Sequence, residues 1–144
     1  MAKMIGYMLT WRTYGTWLQG DERGCKNEKL EQANKKNLKK EPIKFNSAQI
    51  EAVKDSIIQE AKRLNQKIYA LTVLPNHIHL LVEKIDEAIE STAAFYKTVA
   101  RKALYKNNLQ GRIWAKGYDK RYVFTEQELL NRMVYILKHN EQNP

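Results

Sequence analysis

The chain has a single cysteine, Cys25, among its 144 residues. An internal disulfide and a cysteine-based zinc site are therefore excluded, and a cytoplasmic location is the expectation. Long apolar runs are missing as well: nothing approaches the roughly 20 apolar residues that span a bilayer. The opening residues, Met1-Ala-Lys-Met-Ile-Gly6, lack the apolar centre of a secretion signal, so no membrane partner is expected. Acidic residues are the minority, 16 against 25 Lys and Arg, which leaves a formal net charge of +9. An excess of that size favours a polyanion as partner, nucleic acid being the commonest. The plainer alternative is a basic protein with no such partner, because net charge argues about partners and not about fold.

What is present suffices for one domain with a core, residues 1–144, at 43% hydrophobic content. Met4 to Thr13 is rich in Ile, Tyr, Leu and Trp and reads as a first strand. Residues from Lys26 to Lys44 are mostly Lys, Asn and Glu and read as a solvated insertion. Asn46 and Ser47 can cap a helix whose apolar stripe is Ile50, Val53, Ile57, Ala61 and Leu64. Lys67 to Leu74 and His77 to Glu83 read as strands of a hairpin turning at Pro75-Asn76. A second helix is expected from Asp86 to about Asn107, with Ile89, Phe95 or Tyr96, Val99 and Ala103 inward. Arg121 to Phe124 reads as a short strand. Thr125-Glu-Gln-Glu128 is a capping-box pattern opening a last helix through Leu129, Leu130, Met133, Val134 and Leu137 to about His139. Strand, helix, strand, strand, helix, strand is the ferredoxin-like order of an α+β fold, here with one further C-terminal helix. Such a sheet is antiparallel, with helices on one face and the other left free.

The three histidines are the most informative residues. Side chains alternate on a strand, so His77 and His79 share a face while Ile78 packs behind them. His139 lies four residues after Tyr135, so those two share a helix face. Three imidazoles and a phenol in one pocket would make a metal site with a nucleophile beside it. The plainer readings are a hydrogen-bonded surface histidine pair and a core tyrosine flanked by Val134 and Ile136. Tyr118 and Tyr122 are rival phenols. Trp11, Tyr14 and Trp17 near Arg12 can stack unpaired bases or fill the core. Lys97, Arg101, Arg112, Lys116, Lys120 and Arg121 can follow a phosphate backbone or stand as solvated charges.

The segments Thr13-Tyr-Gly-Thr-Trp-Leu18, Leu74-Pro-Asn-His-Ile-His-Leu-Leu-Val82 and Tyr135-Ile-Leu-Lys-His-Asn140 resemble the single-tyrosine HUH transposases, including the REP-associated tyrosine transposases. The Lys-rich insertion has no counterpart in the match. The resemblance implies that His77 and His79 bind a divalent metal, Mg²⁺ or Mn²⁺, and that Tyr135 is the nucleophile. The family's third ligand is often Gln or Asn one helical turn after the tyrosine. Here His139 holds that place with Asn140 beside it, a richer nitrogen set that favours Mn²⁺ or Zn²⁺ over Mg²⁺. The implied substrate is single-stranded or hairpin DNA, nicked and rejoined through a 5′-phosphotyrosine. Both a monomer and a homodimer are compatible with the resemblance. Two rivals remain: a non-catalytic nucleic-acid-binding module, against which stands the lack of a Gly-Phe-rich RNA-recognition pattern, and a metal-dependent nuclease using water.

Overall fold

The computed structural model describes residues 3–15 and 42–142; the side chains of residues 139–142 are outside that description. The elements run β1 (Gly6–Arg12), α1 (Ser47–Leu64), β2 (Ile68–Val73), β3 (His77–Glu83), α2 (Ile89–Tyr105), β4 (Asp119–Val123) and α3 (Glu126–Gln142). The four strands form one sheet in the order β2-β3-β1-β4, and every neighbouring pair is antiparallel. This is the expected ferredoxin-like arrangement. The histidine strand is central, between β2 and β1.

Alternation divides the sheet into two faces. Tyr7, Leu9 and Trp11 of β1 and Ile78, Leu80 and Val82 of β3 point to one face. There they pack with Val53, Ile57 and Ala61 of α1 and Ala93, Tyr96, Ala100 and Leu104 of α2. α1 begins as its sequence suggests, with a complete capping box. Asn46 Oδ1 accepts from Gln49 N–H at 2.8 Å, and Gln49 Oε1 accepts from Asn46 N–H at 2.9 Å. α2 is rotated from its expected orientation: Thr92, Ala93, Tyr96, Ala100 and Leu104 are buried, whereas Val99 and Ala103 are only half-buried. Small Ala93 and Ala100 let the helix sit close. Thr92 is tolerated inside because its hydroxyl donates to Ile89 O at 2.9 Å and meets Tyr7 Oη at 2.8 Å.

A buried polar chain joins the layers at this point. Tyr96 Oη donates to Gln66 Oε1 at 2.6 Å. Gln66 Nε2 donates to Tyr7 Oη at 3.0 Å and to Glu83 O at 2.8 Å. Close approach also matters where β1 starts: a Cβ on Gly6 would meet Val82 O at 2.6 Å, so glycine sets the spacing of β1 and β3 there.

The second face is not left free, contrary to the sequence expectation. α3 lies on it and packs Ile136 against Met8, Leu81 and Val123, with Leu129 and Met133 at the margin. The expected apolar positions therefore split. Leu129, Met133 and Ile136, at steps of four and three, form the inward stripe. Leu130, Val134 and Leu137 are exposed. Thr125 caps the helix through Glu128 N–H at 3.1 Å, but Glu128 returns to Phe124 N–H at 2.8 Å rather than to Thr125. Most of the Lys-rich insertion, and Trp17 and Cys25, lie outside the described residues. Its last part does contribute to the core, since Ile43 is buried beside Phe45. No described helix is long and apolar enough to cross a membrane.

Burial drives the Tyr96 phenol well above its ordinary pKa, with the neighbouring Tyr7 and Glu60 adding to the shift. The folded state then holds this proton after the unfolded chain, titrating at about pH 10, has lost it. That contribution to stability is complete below about pH 10 and declines as pH rises further. Tyr96→Phe should cost about 1–2 kcal/mol at neutral pH by leaving Gln66 Oε1 without its donor. Its stability should fall less steeply than the wild type's above about pH 10. Urea unfolding at several pH values measures both effects.

Candidate active site

β3 enters the sheet from a turn that is held on both sides. Leu74 N–H donates to His77 O at 2.8 Å, Phe45 N–H to Pro75 O at 2.7 Å, and Thr13 N–H to Asn76 O at 2.9 Å. Thr13 Oγ1 bonds Ile43 O at 2.7 Å and approaches Asn76 O at 3.3 Å. These contacts fix where His77 starts its strand. Alternation then sends His77, His79 and Leu81 to the α3 face, as the sequence pattern suggests.

The two imidazole rings stand edge to face with centroids 4.9 Å apart. The Tyr135 ring meets His79 edge to face at 5.5 Å. Tyr135 adjoins Ile136 in sequence, so the docked Ile136 carries it to the rim of the buried stripe. It is 40% exposed there, which is not the environment of a core tyrosine. His79 is buried and His77 half-buried. One side of this cluster is thus protein and the other is accessible.

Both rings are gripped through Nδ1. His79 Nδ1 lies 2.8 Å from Thr10 Oγ1, its cross-strand partner on β1. His77 Nδ1 lies 2.7 Å from Asn76 Oδ1. The row continues outward, with Thr72 opposite His79 on β2 and Asp119 opposite Thr10 on β4. Arg12 is the cross-strand partner of His77. Thr10 and Thr72 have no local sequence signal, because only the strand register brings them to His79; Arg12 stood out beside the aromatic residues, but its place opposite His77 is likewise a matter of register. Asn76 had one, as the residue before the histidine motif, but read there only as a turn former.

His139 follows Tyr135 by one helical turn on α3, and its side chain and that of Asn140 lie outside the described ones. Among the described residues no three His, Cys, Asp or Glu side chains gather as a metal cluster. The donor set that is described, two imidazoles on one face with their Nδ1 atoms engaged elsewhere, still suits a borderline divalent cation bound through Nε2.

The rival phenols are placed elsewhere. Tyr122 pairs with Tyr7 across β1 and β4, on the sheet face opposite the histidines. Tyr118 packs against the main core, and burial pushes its phenol up. Trp11 is core, edge-on to Trp114 at 6.0 Å. Tyr14 is half-buried under the Arg112 guanidinium, 4.3 Å from its ring centre. Lys97 Nζ bonds Gly117 O at 3.0 Å, and burial, with Arg12 nearby, lowers its pKa. Lys120 pairs with Glu90 at 3.2 Å and Arg121 with Asp119 at 3.1 Å. These basic residues are not a row of unpaired charges.

Neither a family model nor a curated protein sequence matches this chain. Solved structures do. A REP-associated tyrosine transposase bound to a REP hairpin superposes with a TM-score of 0.60 at 16% identity, over 96% of this chain and 71% of that one. The protein has a tyrosine-transposase-like fold. A provisionally assigned transposase from Deinococcus radiodurans R1 aligns with a TM-score of 0.52, also at 16% identity, over 96% of this chain and 92% of that one. At 16% identity, the likeness to these two solved structures is one of fold.

Ile136 and Tyr135 should respond oppositely to substitution. Ile136→Ala removes the fully buried anchor of α3 and should cost about 2–4 kcal/mol. Tyr135→Phe, at a half-exposed phenol, should change stability by less than about 0.5 kcal/mol. Chemical denaturation of both variants checks this. A Tyr135→Phe loss as large as that of Ile136→Ala would make the tyrosine structural.

Proposed function

We propose that the protein is a metal-dependent DNA nicking and strand-joining enzyme of the transposase type, acting on single-stranded or hairpin DNA. The observation that carries this reading is the Tyr135 ring against His79, with His77 beside it, on an accessible part of the second sheet face. The net charge of +9 and a neighbouring fold solved with a nucleic-acid hairpin support the choice of substrate.

His77 and His79 would hold a divalent cation, Mg²⁺ or Mn²⁺, through Nε2, with His139 or Asn140 completing the set from α3. Such an ion supplies polarisation of a non-bridging phosphate oxygen and offsets charge on the leaving oxygen. Tyr135 Oη attacks the phosphorus while the bond to the 3′-oxygen breaks. The phenolic proton is released, the 3′-oxygen takes one up, and the DNA 5′-phosphate stays on the tyrosine. Because one phosphodiester replaces another, a 3′-hydroxyl can reverse the step and join strands without ATP. Tyr135 suits this work because it is held in place through Ile136 yet remains exposed to a strand.

Labelled single-stranded and hairpin oligonucleotides from DNA flanking the gene, incubated with protein and Mn²⁺ or Mg²⁺, test the reading on a denaturing gel. Label should migrate with protein, depend on the metal and disappear in Tyr135→Phe. His77→Ala and His79→Ala should each lower adduct formation by at least about a hundredfold. Cleavage without adduct that survives Tyr135→Phe would indicate a nuclease using water. Binding with no cleavage of any of these oligonucleotides would indicate a non-catalytic module.

A further inference from the structure

A neutral imidazole carries one proton, and the partner of one ring nitrogen decides which nitrogen is left with a lone pair. In His77 the partner is the Asn76 side-chain oxygen, 2.7 Å from Nδ1. A carboxamide oxygen only accepts, so Nδ1 must donate. In His79 the partner is the Thr10 hydroxyl, 2.8 Å from Nδ1 and buried. A hydroxyl can accept this proton and direct its own elsewhere.

We propose that Asn76 and Thr10 are positioning residues that hold both histidines in the Nδ1–H form and leave both Nε2 lone pairs for one divalent cation. The two grips come from different elements, the hairpin turn and the neighbouring strand. Two rings whose Nδ1 atoms are fixed from outside the cluster lose rotation as well as tautomeric freedom. A metal would then meet donors already arranged, and less ordering would accompany binding. The metal-binding half of this inference rests on the proposed function; the tautomeric half does not.

Long-range ¹H–¹⁵N correlation spectra of metal-free protein, in which the two neutral tautomers and the imidazolium give distinct patterns, test the tautomers directly. The chain has only three histidines, so His139→Ala identifies the third set of signals. His77 and His79 should show the Nδ1–H pattern. Asn76→Ala should shift His77 toward the other form, and Thr10→Val should do the same for His79. Asn76→Asp and Thr10→Ser, which keep an acceptor, should preserve the wild-type pattern. Mn²⁺ titration by calorimetry should show a roughly ten- to hundredfold loss of affinity for Asn76→Ala and Thr10→Val and recovery in the conservative variants.

A wild-type spectrum with Nε2 protonated on either ring overturns the inference. So does unchanged Mn²⁺ affinity in folded Asn76→Ala. A wild type with the expected tautomers and no Mn²⁺ binding overturns the metal reading instead. Asn76 is half-buried in a turn, so its variants carry the test if Thr10→Val fails to fold.

Discussion

The docking of Ile136 among Met8, Leu81 and Val123 is the contact on which the site depends. It is a small cluster beside the main core, yet it fixes the azimuth of α3. Tyr135 lies one residue before Ile136, about 100° around the helix, and is thereby turned toward His79 while staying partly open to solvent. A rotation of α3 by one residue would bury the phenol or aim it away from the histidines. The exposed Leu130, Val134 and Leu137 show that apolar content alone did not select the inward stripe. Fit against the sheet did.

The sheet supplies the stiffness that such an arrangement needs. β3 is hydrogen-bonded on both edges, and the face behind it is closed by α1 and α2. The Gln66 chain between Tyr7, Tyr96 and Glu83 ties those layers together with directional bonds. Polar side chains near the site are likewise engaged: Thr10 with His79, Asn76 with His77, and Thr13 with the turn. The histidines therefore sit on a rigid element and Tyr135 on a docked one.

The parts legible in the sequence were those governed by local periodicity. The His-Ile-His alternation placed both rings on one face, and the caps at Asn46 and Thr125 marked where helices begin. The central position of β3 followed from the element order. What the sequence left undetermined depends on tertiary fit. α2 carries apolar residues on two adjoining stripes, and close packing through Ala93 and Ala100 decided between them. α3 could have covered either side of the sheet; Met8, Leu81 and Val123 offered an apolar patch on the second. The partnership of Thr10 with His79 is a matter of register across 69 positions, which no local pattern encodes. Trp11 reads equally well as a base-stacking ring and as core until its burial is known.

The central claim is that one metal site, formed by His77 and His79, lies beside the Tyr135 ring. Paramagnetic broadening by Mn²⁺ measures that adjacency directly, because the effect falls steeply with distance from the ion. In spectra of tyrosine-labelled protein, with Tyr135→Phe identifying the resonance, substoichiometric Mn²⁺ should broaden Tyr135 first. Tyr7 and Tyr96, on the other sheet face, should broaden only at higher occupancy, and the Tyr135 effect should vanish in His77→Ala/His79→Ala. Broadening of the histidines with a sharp Tyr135 signal, or of Tyr135 in the double variant, would contradict the account.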